Sequence, residues 1–596
     1  ELPEYMVPGS FTELEALPMT INGKLDKRKL PAPTFNSGED YIAPRTELET
    51  QLCAIWQEVL GVEQVGIEDN FFRIGGDSII SIQLVSKLRR AGFSIQVKSI
   101  FDAPTVSQQA HLLAQSDVQL IDAEQGRLSG TFPLLPVQQW FFEQTFAQPN
   151  HWNQAFAIKL PSLMEADAVS KVLPALVEHH DCLRTAFTQT ATGWEQTYHE
   201  TSHPWQGELE SLDIQHLDEV ALHEKLTSLQ SDFDISNGPL WRAVYLHGNK
   251  DGHPRLMFAC HHLIIDAVSW RIIADDIQRL LTGQSLGEKS SSYRQWVNTV
   301  GEYAKEHGEE VKYWKAVQDN NAHLPQTGEE ETLSLQLEQH HTQTLLRTAN
   351  AGYHTEISDL LLSALSIALR TLTDTESTTI QLEGHGREHL RNDIDVSGTV
   401  GWFTTIYPVR LIAAEDVAET IMTTKEMLRK IPTKGVGYGA LVQSGVLSAQ
   451  AQQISFNYLG QLDHGIEDET QGVWQLTGDD CGTMMPSTSQ DSDLLSINGA
   501  VRGEQLRFTV ESKLPDSIAF VEAFKAALIS VIEVAQATAQ EGGIKTPSDY
   551  GMSGMSFDQL HRLQENSIEA IYSASSLQQG FIHHALTQPD DDAYRV

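Results

Sequence analysis

The chain has 596 residues, with 80 acidic against 41 basic side chains and a net charge of -39. Such a length calls for more than one hydrophobic core, and such a charge excludes a nucleic-acid phosphate track or an anionic membrane surface as the partner. The apolar run at residues 360–369 is too short to span a bilayer, no basic-then-apolar leader opens the chain, and Cys53, Cys182, Cys260 and Cys481 show neither zinc nor disulfide spacing. A cytoplasmic protein with buried free thiols and no metal is expected.

In chain order, residues 1–35 precede a proline-bearing linker at 36–44. Thr46 with Glu49 makes a capping box, Leu48, Leu52, Ile55, Trp56, Val59 and Leu60 recur at helical spacing, and Gly61 supplies a stop, which together predict a helix. A second helical run from Ile79 to Leu88 follows Gly75-Gly-Asp-Ser directly, and a third runs from Val106 to Leu113, so residues 45–116 read as a small helical domain. After a polar linker at 117–128, residues 129–545 mix strand and helix patterns and form the main body, in two parts at about 129–300 and 301–545. A Gly/Ser-rich connector at 546–566 leads to a further segment, 567–596. Both ends look like cuts in something longer.

Ser78 opens an amphipathic helix after two glycines, where helix-end N–H groups favour a phosphate. Local spacing alone leaves open that Asp77 or Ser78 is simply a cap. In the main body, Arg255-Leu-Met-Phe-Ala-Cys reads as a buried strand, and Ile272, Ile273, Ile277, Leu280 and Leu281 mark an amphipathic helix. Between them lie His261, His262 and Asp266. Neighbouring elements aim side chains at such a junction, and a neutral histidine exchanges protons near pH 7. Adjacent histidines point apart and no third ligand is evident, which argues against a metal.

Asp69-Asn-Phe-Phe-Arg-Ile-Gly-Gly-Asp-Ser-Ile is similar to the core of peptidyl carrier domains. The resemblance implies a four-helix all-α carrier whose Ser78 receives 4'-phosphopantetheine from a separate phosphopantetheinyl transferase. Leu17-Pro-Met-Thr-Ile-Asn-Gly-Lys-Leu-Asp resembles the last motif of adenylation domains, with Lys24 as its lysine; no phosphate-binding loop precedes it, so this remnant is expected not to activate an amino acid. His-His-x-x-x-Asp at His261 is the signature of the condensation superfamily, which implies a large two-lobed α/β fold like that of chloramphenicol acetyltransferase. Ser269-Trp270, Glu383-Gly-His-Gly-Arg-Glu, Val400-Gly-Trp-Phe-Thr-Thr-Ile-Tyr-Pro, Pro432-Thr-Lys-Gly-Val-Gly-Tyr-Gly and Phe456-Asn-Tyr-Leu-Gly resemble its epimerization branch, and Pro136-Val-Gln-Gln-Trp-Phe and His151-Trp-Asn-Gln match the opening of that domain type.

The chain thus resembles the carrier and epimerization portion of a nonribosomal peptide synthetase. That implies L-to-D inversion of a carrier-bound aminoacyl or peptidyl thioester by removal and return of the α-proton. The resemblance makes His262 and Glu383 the catalytic pair, and Glu383 as a proton donor requires burial to raise its pKa. It places Tyr458, a third catalytic residue, and Asn457 along the substrate tunnel, where a phenol or amide donates to the developing thioester enolate, with plain packing as the alternative. It makes Asp266 and Arg184 a structural pair, and leaves His261 and Trp270 in support. Ile568-Glu-Ala-Ile-Tyr-Ser-Ala-Ser-Ser-Leu resembles the first motif of a condensation domain, too short here to be catalytic. The expected partners are the thioester substrate, the transferase and adjacent adenylation and condensation domains. A condensation-type acyltransferase, distinguished by the Glu383 segment, and a non-catalytic docking platform are the competing readings.

Overall fold

The computed structural model describes residues 41–115, 121–200, 208–318, 328–461, 476–486, 493–564 and 574–587, apart from positions 73, 94, 192, 374, 451 and 553, together with Trp474. Lys24 with its surrounding motif, and residues 568–573 of the condensation-like tail, lie outside the described residues.

Four helices build the small domain: α1 (Glu47–Leu60), α2 (Ser78–Arg90), α3 (Val97–Asp102) and α4 (Val106–Gln115). Thr46 and Glu49 close the predicted capping box, and Gly61 ends α1 in the left-handed region at φ 64°. Asp77 caps α2, accepting the N–H groups of Ile79 and Ile80. Leu52, Trp56, Ile67, Phe71, Leu84 and Leu88 meet in one core, each worth about 1.5–3 kcal/mol when fully buried. The indole N–H of Trp56 donates to Gln109 Oε1 at 3.1 Å, so the largest core side chain leaves no polar atom unmet.

The large domain carries β1 (Gly130–Phe132), β2 (Asn153–Lys159), β3 (Thr185–Thr190), β4 (Gly193–Tyr198), β5 (Leu209–Asp213), β6 (Trp241–His247) and β7 (Arg255–His261) in its first half. Its second half adds β8 (Glu331–Gln336), β9 (Ser377–Gly384), β10 (Thr405–Ile412), β11 (Ile454–Gln461), β12 (Leu476–Thr477), β13 (Leu495–Arg502) and β14 (Gln505–Ser512). One five-stranded sheet runs β12-β2-β7-β6-β5, one six-stranded sheet runs β10-β9-β11-β13-β14-β8, and β1-β4-β3 form a small third sheet. The continuous apolar run of β7 is buried from Leu256 to His261, as a strand covered on both faces requires. The helices of this domain include α5 (Pro136–Glu143), α6 (Ala166–His179), α7 (Ala267–Leu281), α8 (Tyr293–Glu306) and α9 (Val436–Gln443). The predicted stripe of α7 buries Ile272, Ile273 and Ile277.

By contacts the chain forms two compact units. One comprises the described parts of residues 1–342, 379–410 and 432–521, and so holds the small domain and nearly all of the sheets. The other comprises those of 343–378, 411–431 and 522–596. In this second unit helix Val417–Arg429 is bound to its surroundings by charge: Arg429 reaches the buried Asp359 at 2.8 Å, and Lys425 reaches Asp549 at 2.6 Å and the Tyr353 carbonyl at 2.8 Å. The four cysteines are free and buried. No helix among the described residues is long and apolar enough to cross a membrane.

Candidate active site

The site begins with the pairing of β2 and β7, antiparallel with Asn153 opposite His261 and Gln154 opposite Cys260. Because strand side chains alternate, this register puts Gln154 and His262 on one face. The chain then leaves β7 through a short 3-10 turn, His262–Ile264. His261 serves that turn: its Nε2–H donates to the Pro149 carbonyl at 2.8 Å, and its Nδ1 accepts the Leu263 N–H at 3.2 Å. Burial pushes its pKa down to about 3, so it stays neutral.

His262 is placed differently. Its Nδ1–H donates to the Ile265 carbonyl at 2.9 Å, which leaves Nε2 as the unprotonated nitrogen. Gln154 approaches Nε2 at 2.6 Å with its amide nitrogen. The ring lies against Trp152 at 4.8 Å and Trp402 at 4.5 Å between centroids. Burial draws its pKa down to about 4, against the opposing pull of Asp266, so near pH 7 the ring is a neutral base.

Asp266 caps α7 through the Ser269 N–H at 2.8 Å and accepts the Ser269 hydroxyl at 2.7 Å. Its charge partner is Arg387, with one guanidinium nitrogen 3.0 and 3.1 Å from the two carboxylate oxygens. The Phe403 N–H donates to the same carboxylate at 3.2 Å. The expected Asp266–Arg184 pair is therefore corrected. Arg184 is buried against Asp181, three residues before it, and also donates to the carbonyls of Leu128, Val177 and His199. A carboxylate within the same 3-10 turn meets that guanidinium locally, while both oxygens of Asp266 are already engaged. Arg387 lies in one of the motifs singled out in the sequence, where it carried no expected role. Fully buried arginines are rare unless paired, so a partner was owed to it.

This pairing joins two sequence motifs. Arg387 follows Glu383 by four residues and holds Asp266, while Trp402 from the Val400-Gly-Trp-Phe segment packs on His262. Glu383 stands near the end of β9, which runs parallel to β11 with Phe456 opposite Leu382. That register sets Asn457 beside it, and the Asn457 amide donates to Glu383 Oε2 at 3.0 Å. Glu383 is exposed, so the burial expected to raise its pKa is not supplied by the protein's own packing. Tyr458, next on β11, has a buried hydroxyl without a hydrogen-bond partner among the described residues, and burial with the nearby Asp77 carboxylate holds its pKa well above the phenol range. Trp270 is half-buried and stacks on Phe156 at 5.7 Å.

A cavity of about 220 Å³ adjoins these groups, lined in part by Trp140, Gln381, Phe403, Thr405, Tyr407 and Tyr438. Gln381 is two residues before Glu383 on β9, and Trp140 approaches Trp152 and Trp402 at 6.2 and 6.5 Å. The cavity thus runs up to the aromatic wall around His262.

Residues 128–549 match the family described as Condensation domain, which is more than half of the chain. The chain belongs to the condensation-domain family. Residues 50–113 match the family described as Phosphopantetheine attachment site, so a carrier domain precedes the condensation-family domain. The epimerization domain from the third module of tyrocidine synthetase B is similar at 32% identity and TM-score 0.63, covering 70% of this chain and 99% of that one. The condensation domain from Monacolin K polyketide synthase, 16% identical with TM-score 0.54, shares the fold over 70% of this chain and 98% of its own. Bacitracin synthase 3 of Bacillus licheniformis is 35% identical over all of this chain, which spans 10% of that protein. Tyrocidine synthase 2 of Brevibacillus parabrevis is 36% identical over 96% of this chain, and the match spans 16% of that protein.

The carrier sits against the condensation-family domain at the start of α2. Gln461 at the end of β11 donates to the Gly75 carbonyl at 3.3 Å, and Arg271 of α7 donates to the Gln461 carbonyl at 3.1 Å. A Cβ on Gly460, whose φ is 76°, would stand 2.8 Å from the Asp77 carboxylate, so only glycine allows this approach. Farther along α2, Arg90 pairs with Asp276 at 2.9 Å and Arg89 pairs with Asp395. Ser78 is the first residue of α2. The N-terminus of this helix thus comes up to β11 beside a side-chain-free glycine.

Proposed function

We propose that the chain inverts the α-carbon of an aminoacyl or peptidyl group held on Ser78 through 4'-phosphopantetheine, as one station of a nonribosomal peptide synthetase. The arm supplies a thiol whose thioester acidifies the α-hydrogen. His262, with Nδ1–H committed to Ile265 and Nε2 unprotonated, takes that hydrogen as a proton. Glu383, held by Asn457 on the segment that Arg387 braces to Asp266, returns a proton to the opposite face. For that step Glu383 must carry a proton when the substrate is bound. Tyr458, with its hydroxyl unpartnered among the described residues, donates to the enolate oxygen as charge develops.

The observation that carries this reading is the preset tautomer of His262 beside a carboxylate-bearing segment cross-braced to it. The 32% identity to an epimerization domain supports it. The test is deuterium wash-in at the α-carbon with chiral analysis of the released acyl group. An epimerase exchanges and inverts, an acyltransferase forms an amide without exchange, and a docking platform does neither. His262→Ala and Glu383→Gln are each expected to slow inversion roughly 10²- to 10⁴-fold. Each variant should keep exchange from one configuration only; loss from both would leave a single essential base.

A further inference from the structure

Gln154 has no role in the reading above, yet it makes the closest polar contact to the reactive nitrogen of His262. Nδ1–H of that ring is committed to Ile265, so the amide nitrogen of Gln154, 2.6 Å from Nε2, must be donating to the ring's lone pair. The amide oxygen of Gln154 is buried without a hydrogen-bond partner among the described residues. A buried acceptor left alone is costly and calls for an explanation. It also means that no second bond holds the carboxamide in one orientation.

We propose that Gln154 is a positioning residue for His262: its carboxamide donates N–H to Nε2 of the neutral ring, and turns to offer Oε1 to Nε2–H once the ring has taken a proton. This rests on the epimerase reading and deepens it. As substrate arrives the carboxamide gives way, the α C–H bond breaks, its electron pair passes into the thioester as an enolate, and the proton bonds to Nε2. Oε1 then accepts the new Nε2–H of the imidazolium. The return of a proton from Glu383 remakes the C–H bond and leaves a carboxylate, and solvent takes the proton from His262 and restores the one on Glu383. An uncharged amide can serve both protonation states, which a fixed donor or a carboxylate cannot.

The charged and titratable groups that face this ring allow the effect to be isolated. Asp266, which pulls the His262 pKa upward, is paired with Arg387 at 3.0 Å, His261 is held neutral by burial, and Trp152 and Trp402 carry no charge.

The test uses the whole chain with Gln154→Leu and the nearly isosteric Gln154→Glu. Two readouts apply: nitrogen-15 NMR titration of His262 without substrate, and the pH profile of α-deuterium wash-in. Gln154→Glu should raise the His262 pKa by about one unit or more, since a carboxylate favours the imidazolium. Gln154→Leu should lower the exchange rate about 10- to 100-fold, the range of a hydrogen bond to a charged group, with KM and melting temperature nearly unchanged. The proposal is overturned if Gln154→Glu leaves the His262 titration unmoved, or if Gln154→Leu exchanges at the wild-type rate or loses activity only in step with melting temperature. The NMR titration reads the Gln154–His262 coupling whether or not the wild-type protein exchanges, so failure of the epimerase reading shows separately, as absent wild-type wash-in.

Discussion

Asp266 engages both of its oxygens, with Arg387, Ser269 and the Phe403 N–H, and all of these lie in the interior. Asp266→Ala would leave the Arg387 guanidinium buried without its counter-charge, at a typical cost of about 3–5 kcal/mol, and should lower the urea midpoint accordingly. A double-mutant cycle locates the interaction: Asp266→Ala with Arg387→Met should couple strongly, whereas Asp266→Ala with Arg184→Met should add to within about 0.5 kcal/mol. Additivity in the first cycle would deny Arg387 its role. Residue types and places were legible here. His262, Asp266 and Glu383 stood out because their motifs are short and local. The partners were not, because Arg387 reaches Asp266 across 121 residues and Asn457 reaches Glu383 across 74, through contacts that only the tertiary fold creates.

At the scale of elements, the features set by near neighbours are legible in the sequence. The capping box of α1, the glycine-flanked start of α2 and the stripe of α7 depend on neighbours within a turn or two. The six-residue α3 offers no side-chain cap at Gln96 and too few positions for a period, so only the resemblance called for a fourth helix. The bend in β11 was equally hidden. Its register against β13 shifts between Tyr458 and Gln461, an irregularity that re-aims side chains at the strand's end. Gly460 lies inside it, with positive φ and the Asp77 carboxylate where a β-carbon would stand. Gly460→Ala should therefore cost about 1 kcal/mol or more in stability and, by pushing Asp77 away, raise the KM for a carrier added in trans. Unchanged KM would show that the approach of α2 to β11 does not matter in turnover.

For the molecule as a whole, the buried histidines set a pH response. Burial holds His179 and His261 near pKa 3 and His262 near 4, against about 6.5 in an unfolded chain. Above pH 6.5 both states carry these rings neutral and stability is independent of them. As pH falls from 6.5 toward 4 the unfolded state binds protons that the folded state refuses, so stability is lost, by up to about 1.4 kcal/mol per pH unit for each ring. Melting temperatures should be level from pH 8 to 6.5 and fall between 6.5 and 5, before most carboxylates titrate; a level course to pH 5 would contradict the assignment. The carrier's seat has a different consequence. Among the described residues it includes the polar contacts Arg90 with Asp276, Arg89 with Asp395 and Gln461 with Gly75. The partly exposed arginines of these pairs leave them open to some weakening by salt, whereas a short tether supplies an effective concentration in the millimolar range that salt does not change. Raising salt should thus raise KM for a severed carrier and barely slow the tethered one. Equal sensitivity of the two would mean that the tether adds nothing. Where the carrier is tethered, the covalent chain ensures its return to this seat, and no strong contact is needed to bring it back.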